Sequence, residues 1–503
     1  MKTLSKTRLL EFHQCPKRLW LQLHAPELRE DSKGTTSGFV IGNQVGELAR
    51  RLYDPHGKGT LISVLEGGFE RAFARTASLL SSSGPIFEAG FTAGGATSFA
   101  DVMLPVRKSG KRAWRMVEVK SSASVKDYHR TDAAIQAYIA RTSEVPLVSV
   151  SIAHVDSKWV YPGNDAYDGL LVEHDVTKEA FGRAEEIAKL IKDAHKTARR
   201  RKEPDIRTGA QCSAPYDCGF AAHCASQEPQ AQYPVQWIPQ VRTKALRAVV
   251  GQAADMRDIP DELLNPVQRR VKQSTLQDKA FLDAPLARQM LAPYRLPAYF
   301  LDFETIQFTV PVWKGTSPYQ NIPFQFSVHR LKRTGKLERD GFLDLSGKDP
   351  SRDFADALIR ACGESGPVFV YNASFEKARI QELAARFPRF KPALLAIADR
   401  IVDLQPVAAA CYYHPSQQGS WSIKNVLPAV APDLSYGELE GVQDGSMAMD
   451  AYREAIAPTT TAARKAQLRE QLDEYCALDT LAMVRLWQFF AGRNDLGLQE
   501  PVC

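Results

Sequence analysis

The stretch AYFLDFETI, residues 298–306, decides the fold of the C-terminal third of this 503-residue chain. Its apolar and aromatic run predicts a buried β-strand, and Asp302 and Glu304, two residues apart, must project from the same face of that strand. Burying two carboxylates without a cation would be costly, and hard cations such as Mg²⁺ prefer oxygen ligands. We therefore expect a metal site here. The alternative is a strand end that carries two solvated acids.

Further candidate ligands follow in order along the chain. VYNASFEKARI places Glu376 just after a predicted strand. DEYCALD places Tyr475 and Asp479 four residues apart, so that they share one face of a predicted helix. Together with the strand at 298–306, these positions predict one acidic site.

The ordered set DFE, N-x-x-F-E and Y-x-x-x-D resembles the DEDD exonucleases of the ribonuclease H-like (DnaQ-like) fold, in the subtype with Tyr four residues before the last Asp. The resemblance implies that Asp302, Glu304, Glu376 and Asp479 hold two Mg²⁺ or Mn²⁺ ions for phosphodiester hydrolysis. It also implies that Tyr475 orients the attacking water. Glu376 stands where the family more commonly has Asp, and the longer carboxylate can still reach a metal.

The same resemblance gives supporting roles to other residues of this region. Asn372 and Phe375 would support the strand end and the substrate. Asp403, in IVDLQPV, is a lesser candidate ligand that a structural role explains equally well. GSWSIKNVLPAV resembles a helix of related exonucleases and offers Lys424 as a phosphate contact.

The N-terminal half contains a second candidate site within an α/β pattern over residues 85–155. We expect Asp101 at the end of one strand, Glu118 and Lys120 on its hairpin partner, and Gln136 on the next helix. This arrangement resembles a PD-(D/E)xK nuclease, which implies that the acids bind one or two metal ions while the lysine stabilises negative charge. The triplet E-x-K is common by chance, so ordinary surface pairing is the alternative.

Two positions depart from the pattern of such nucleases. GNQVGEL has Gly46 where they often carry a metal-binding His, so Glu47 and Glu88 are candidate substitutes, with Glu88 our choice as a metal ligand. Tyr138 follows Gln136 by two residues, whereas the usual motif is Q-x-x-x-Y. These departures motivate the hypothesis that the N-terminal half grips nucleic acid without cutting it.

Four of the eight cysteines have a spacing that indicates a cofactor. Cys15 precedes a proline, and Cys212, Cys218 and Cys224 form C-x5-C-x5-C. Four thiolates can hold zinc or a 4Fe-4S cluster, and zinc usually prefers paired C-x2-4-C knuckles. The one-plus-three layout resembles RecB-family nucleases, which implies a 4Fe-4S staple around the nuclease core. The remaining cysteines are assigned to packing or to the tail: Cys362, Cys411, Cys476 and Cys503.

Length and composition predict two domains joined by a connector. We expect a RecB-like PD-(D/E)xK domain with the cluster at 1–228, a basic helical connector at 229–290 and a DnaQ-like 3'-5' exonuclease domain at 291–495. Residues 1–228 carry 32 basic and 27 acidic side chains, and 229–290 carry 9 and 6. A basic surplus ahead of an acidic domain suits a polyanionic substrate, although ordinary surface charge is the alternative.

Two further expectations concern the ends and surfaces of the chain. A long amphipathic helix is predicted from about residue 178 to 202, ending in a basic run. No run approaches 18 consecutive apolar residues, and the N-terminus lacks the pattern of a signal peptide. We therefore expect a cytoplasmic protein without a membrane partner.

The whole layout resembles the bacterial domain-of-unknown-function family 2779. That resemblance implies an α/β chain with two domains: a restriction-endonuclease-like core with an iron-sulfur staple, and a ribonuclease H-like domain. We expect a metal-dependent nuclease acting on nucleic acid, DNA first, in repair, recombination or defence. The alternatives are an RNA-trimming exoribonuclease and a nucleic-acid-binding scaffold whose N-terminal nuclease fold is inactive.

Overall fold

The structure, a computed structural model, describes residues 3–31, 33–251 and 253–493. The chain divides into two compact units, each mixing helices with sheets, so the predicted α/β class is confirmed. Unit 1 comprises Met1–Pro229 and Phe308–Tyr319, and unit 2 comprises Gln230–Gln307 and Gln320–Cys503. Residues 230–290, which the sequence assigned to a connector, therefore lie within unit 2.

Unit 1 is built on one sheet with helices around it. Its strands are β1 (Leu4–Ser5), β2 (Thr60–Leu61), β3 (Ile86–Ala93), β4 (Ala96–Lys108), β5 (Lys111–Lys120), β6 (Leu147–Val155) and β7 (Leu171–Asp175). Its helices are α1 (Lys6–Gln14), α2 (Pro16–His24), α3 (Lys33–Tyr53), α4 (Gly68–Leu79), α5 (Asp127–Thr142), α6 (Thr177–Gly182), α7 (Ala184–Ala198) and α8 (Ala221–Ser226).

The sheet of unit 1 runs in the order β2-β3-β4-β5-β6-β7, and the short β1 pairs with β4. Strands β5 and β6 are parallel, and α5 is the crossover helix between them. This helix packs closely against the sheet because small side chains line its buried face, among them Ala133, Ala137 and Ala140, which are fully buried. The close packing fixes the polar residues of α5 against β5.

Two details of unit 1 differ from the sequence-based expectations. Asp101 does not end a strand: it lies inside β4, which pairs with β3 as far as Met103 and continues to Lys108 because its hairpin partner β5 pairs with it. The single helix predicted over 178–202 is two helices, α6 and α7, that break after Gly182. Glycine weakens a helix interior, and consecutive basic residues at 199–202 offer no apolar face to continue α7.

Unit 2 contains a five-stranded sheet, a small two-stranded sheet and ten helices within the described residues. Its strands are β8 (Phe281–Leu282), β9 (Ala298–Ile306), β10 (Ile322–Leu331), β11 (Leu337–Leu343), β12 (Val368–Val370), β13 (Ile401–Asp403) and β14 (Tyr412–Tyr413). Its helices are α9 (Lys244–Val250), α10 (Pro266–Gln277), α11 (Ala284–Leu291), α12 (Ser351–Cys362), α13 (Ala373–Arg386), α14 (Lys391–Asp399), α15 (Gln405–Cys411), α16 (Ile423–Val430), α17 (Gly445–Ile456) and α18 (Ala462–Ala491).

The larger sheet runs in the order β11-β10-β9-β12-β13, which makes β9 its central strand. Its side chains alternate between two cores. Phe300 packs with Trp487 of α18, whereas Leu301 and Phe303 pack with residues of α12, α13 and α14, such as Phe354. The even-numbered residues therefore face α18, and this parity places both acids of β9 on the side of that helix.

Within the described residues, no helix is both long and apolar enough to cross a membrane. The longest, α18, has 30 residues but alternates charged and apolar positions.

Candidate active site

Three acids of unit 2 meet beside the central strand. Carboxylate oxygens of Asp302 and Glu304 on β9 and of Asp479 on α18 all lie within 4.8 Å of one another. Glu304 and Asp479 are each 7% exposed, so solvent screens the repulsion between their charges only weakly. Strand periodicity and helix periodicity together bring these residues to one point, as the sequence predicted for the pair on β9.

The proximity of the three acids raises their pKa values. Burial, and then the neighbouring carboxylates, raise the pKa of Asp302 well above its usual range. Burial and Asp479 raise the pKa of Glu304 to about 8, and burial raises the pKa of Asp479 to about 6. These shifts mark a site at which negative charge lacks compensation, which is the situation that a bound cation relieves.

Two tyrosines and one lysine border the acids. Tyr436 donates a hydrogen bond of 2.6 Å from its hydroxyl to Asp479 Oδ1, and Tyr475 also hydrogen-bonds Asp479. Lys424 Nζ lies 5.0 Å from the Tyr436 ring centroid and 5.2 Å from that of Tyr475, and it donates to the Gln443 carbonyl oxygen. The positive charge of Lys424 faces the site and partly opposes the rise in the pKa values of Asp302, Glu304 and Asp479.

Glu376 lies near this group but is not one of its three closest members. It occupies the first turn of α13, is 3% exposed, and its Oε2 has no hydrogen-bond partner within the described part of the chain. Burial raises its pKa to about 8. A buried carboxylate oxygen without a hydrogen-bond partner destabilises the folded state. The negative charge of Glu376 also raises the pKa of Asp302.

Asp403 has a structural role. Its carboxylate accepts hydrogen bonds from the backbone N–H groups of Asn372, Ala373 and Gln405 at 3.1, 2.9 and 2.9 Å. Asn372 adopts a left-handed conformation, with φ of 89°. Asp403 therefore fixes the start of α13, which carries Phe375 and Glu376, and it has little capacity left for a metal.

The metal-free protein should lose stability as pH rises from about 5 to 8. The pKa of Glu304 rises on folding from 4.5 to about 8, and that of Glu376 changes likewise. Between these values the folded state binds more protons than the unfolded chain, so the free energy of unfolding falls as pH increases. Melting temperature (Tm) measured in a chelator at pH 6 and pH 8 tests this, and Mn²⁺ should raise the Tm more at pH 8.

Glu304→Gln/Glu376→Gln is the matched variant for this measurement, because it removes the two carboxyl groups whose pKa values rise to about 8, with little change in shape. Its Tm should depend less on pH than that of the parent chain. A parent Tm that rises between pH 6 and 8 in the chelator would contradict the assignment.

Three acids of unit 1 form a row across adjacent strands. Phe87 on β3 pairs with Val102 on β4, and Val102 pairs with Val117 on β5. Glu88, Asp101 and Glu118 are the chain neighbours of these paired residues, so the three acids lie close together. Burial and Glu118 raise the pKa of both Asp101 and Glu88.

Two lysines neutralise part of this acidic row. Lys120 Nζ donates to Glu118 Oε1 at 2.7 Å and to Asp132 Oδ2 at 2.5 Å, and Lys6 Nζ lies 3.0 and 3.1 Å from the same two carboxylates. Gln136 Nε2 donates to Glu118 Oε2 at 2.5 Å. Although burial opposes it, Lys120 and Lys6 lower the pKa of Asp132. In contrast to the acids of unit 2, these carboxylates already have cationic partners.

A cavity of about 290 Å³ opens beside the acidic row. It is lined by Gly46 and Glu47 of α3 together with Glu88 and Asp101. A Cβ atom added at Gly46 would meet nothing within 4 Å, so this position has room for a side chain. Tyr138 does not line the cavity, and its ring instead lies against Gly94.

The four spaced cysteines gather in one region of unit 1. Cys218 and Cys224 each interact electrostatically with Cys212 and Cys15. Cys224 also packs against Leu21 and Phe220. Burial raises the pKa of the Cys218 thiol, and that of Cys224 to about 11, whereas Arg18 and Lys17 oppose these shifts.

The other cysteines have different surroundings. Cys362, Cys411 and Cys476 are buried in unit 2, as a packing role predicts, and Cys503 lies outside the described residues. Cys476 neighbours the acidic site, and its Sγ lies 3.9 Å from the Asp302 carbonyl oxygen.

Sequence reasoning missed three residues that contact the predicted ones. Tyr436 comes from a short 3-10 turn between α16 and α17. Asp132 lies on the same face of α5 as Gln136, four residues away, and that spacing was an available signal. Lys6 begins α1 and is held near the sheet because β1 pairs with β4, a contact that no local pattern encodes.

Part of unit 2 is similar to a known protein family. Residues 299–422 match the model described as "Domain of unknown function (DUF2779)", which confirms the resemblance inferred from the sequence. This segment contains Asp302, Glu304 and Glu376 but ends before Asp479.

Two particular proteins are similar to this chain. "Uncharacterized protein MG366 homolog" of Mycoplasma pneumoniae (strain ATCC 29342 / M129 / Subtype 1) is 27% identical over 209 residues, which cover 38% of this chain and 31% of the relative. The chain thus spans less than a third of the length of that curated relative. A solved structure titled "Crystal structure of SSO0001" covers 46% of this chain and 88% of its own, with 16% identity and a TM-score of 0.22.

Proposed function

We propose that unit 2 is a metal-dependent 3'-5' exonuclease with a ribonuclease H-like fold. The observation that carries this proposal is the convergence of Asp302, Glu304 and Asp479 within 4.8 Å, with raised pKa values. Buried acids in this arrangement are poorly explained by packing, because their mutual repulsion destabilises the folded chain unless a cation is present.

The charges near the site indicate how much positive charge it can accept. With Glu376, four carboxylates face one cation, Lys424, so three negative charges are uncompensated when all four acids are ionised. Two divalent ions would offset this excess, as the resemblance to DEDD exonucleases implies. Mg²⁺ or Mn²⁺ bound there would polarise a phosphodiester and lower the pKa of a bound water.

The surrounding residues would position the substrate. Lys424 presents an ammonium group beside the acids and is suited to contact a phosphate oxygen. Tyr475 hydrogen-bonds Asp479, and its hydroxyl would orient a water for attack. Tyr436 holds the Asp479 carboxylate, so we assign it a positioning role.

We propose that the substrate is nucleic acid, DNA before RNA, and that unit 1 is a second nuclease site with a restriction-endonuclease-like core. In unit 1, four acids face Lys6 and Lys120, which leaves two negative charges, enough for one divalent ion. The ion pairs made by the lysines also favour a second candidate: a nucleic-acid-binding module that needs no metal.

We further propose that Cys15, Cys212, Cys218 and Cys224 hold a 4Fe-4S cluster, and that the protein works in the cytoplasm in DNA repair, recombination or defence. Zinc usually prefers paired C-x2-4-C knuckles, whereas these cysteines are arranged as one plus three along the chain. Four thiolates from separate segments can hold a 4Fe-4S cluster. Thiols stay reduced in a cytoplasmic compartment.

A cleavage assay on the full chain tests the proposed activity. Protein purified without oxygen would be incubated with single-stranded and duplex DNA and RNA, labelled at either end, in Mn²⁺ or in a chelator. We expect 3'-labelled DNA to release its label first as a mononucleotide and 5'-labelled DNA to shorten progressively, both only with metal. RNA shortened faster than DNA would favour the exoribonuclease alternative, and no metal-dependent hydrolysis of any substrate would overturn the proposal.

A further inference from the structure

A cavity in unit 2 has arginines as four of its ten lining residues. Its volume is about 390 Å³, and it lies between α11 with the segment that follows it, the β10–β11 turn and the C-terminal end of α18. Four arginines and two aromatic residues form much of its wall: Arg288, Arg295, Arg333, Arg493, Tyr294 and Trp487.

No carboxylate lines this cavity among the described residues. Arg288, Arg295 and Arg333 form no ion pair within the described chain, and Arg333 Nε instead donates to the Leu296 carbonyl oxygen at 3.0 Å. Some other arginines of unit 2 have acidic partners, as Arg485 has in Asp433. Like charges crowded around one cavity repel each other unless an anion is bound, and guanidinium groups match phosphate oxygens in geometry.

The two aromatic residues make the cavity more than a phosphate site. The ring of Tyr294 is 37% exposed and packs edge-on against Phe369, with 5.8 Å between ring centroids, which fixes its orientation. Trp487 forms another part of the wall, and its indole N–H has no hydrogen-bond partner among the described residues. Trp487 is buried, whereas Tyr294 offers the kind of exposed aromatic ring on which nucleic-acid bases stack. The volume is in the range of small-molecule sites.

We propose that this cavity binds a nucleotide unit, with its phosphate on the arginines and its base against Tyr294. It is distinct from the acidic site, because Trp487 lies eight residues beyond Asp479 on α18, about 12 Å along the helix axis. The nucleotide can come from two sources: a mononucleotide free in solution, or one residue of a bound strand. The inference rests on the proposed function only for the choice of nucleic acid as the source.

Binding to the full chain in a chelator tests the inference without requiring cleavage. The probes are adenosine 5'-monophosphate, inorganic phosphate and an uncleavable phosphorothioate dT12 strand, each titrated into the parent protein and into Arg295→Ala/Arg333→Ala. The matched control is Arg352→Ala/Arg389→Ala, which removes two exposed arginines of the same unit. We expect the cavity variant, unlike the control, to bind the monophosphate at least tenfold more weakly.

The remaining arms separate the sources and guard against misfolding. If the cavity variant loses affinity only for dT12, the cavity binds one residue of a strand. If it loses affinity for the monophosphate, the cavity binds free nucleotide. Tyr294→Ala, at a half-exposed position, should weaken binding of the monophosphate and leave the affinity for inorganic phosphate unchanged. Equal affinities of the cavity and control variants for both nucleotide probes would overturn the inference, whether or not the chain proves to be a nuclease.

Discussion

Asp302→Asn should lower kcat/KM for metal-dependent removal of 3' nucleotides by about 10³-fold or more. The substitution keeps the size of the side chain but removes one of three carboxylates that converge within 4.8 Å. Loss of roughly 4 kcal/mol of transition-state stabilisation corresponds to this factor. Rates on 3'-labelled DNA, at several Mn²⁺ concentrations, measure the effect, and the Mn²⁺-dependent increase in Tm should shrink in parallel.

Glu470→Gln is the control for this variant, since it neutralises an exposed acid on α18, outside the site. It should retain the parent rate. Lys120→Met, assayed beside it, reports on unit 1. If Asp302→Asn keeps the parent rate and Lys120→Met loses it, the observed cleavage belongs to unit 1 and the assignment of unit 2 is wrong. If only Asp302→Asn loses activity, unit 1 is better explained as a binding module.

Cys218→Ser should abolish the brown colour of protein purified without oxygen and lower its Tm by about 6 °C or more. Cys218 interacts with Cys212, Cys15 and Cys224, and cofactor binding contributes directly to folding free energy when its ligands come from separate segments. A loss of about 3 kcal/mol in a unit of this size gives such a shift. Visible absorption, iron content and thermal unfolding are the measurements.

Cys362→Ala provides the comparison, because this cysteine is buried in the core of unit 2, whereas the four candidate ligands belong to unit 1. It should destabilise the chain by packing loss while the colour and iron content remain. If the parent protein is colourless and contains one zinc ion per chain, the four cysteines form a zinc site and not a cluster. If it contains neither iron nor zinc, the cofactor proposal is wrong.

The acidic site of unit 2 was largely predictable because short-range periodicity determines it. Two-residue periodicity placed Asp302 and Glu304 on one face, and four-residue spacing placed Tyr475 and Asp479 on another. Tyr436 could not be predicted in this way, because it reaches Asp479 from a turn 43 residues earlier in the chain. Contacts of that separation depend on how helices pack, which local patterns do not record.

The site of unit 1 was predicted less completely for a related reason. The hairpin of β4 and β5 and the positions of Glu118 and Lys120 followed from local alternation. The end of β4 was misjudged, because pairing with β3 and then with β5 carries the strand past a polar residue such as Asp101. Lys6, which contacts Glu118, could not be predicted from local patterns because it lies 112 residues earlier in the chain.

Gly46 lies in α3 beside the acidic row, and a side chain there would meet no neighbouring atom within 4 Å. A helix interior generally gains stability from losing a glycine, so the first atom of a larger side chain at this point costs no packing. If unit 1 binds the metal that we propose, one substitution at Gly46 would change the number of ligands beside the cavity while leaving the surrounding backbone in place.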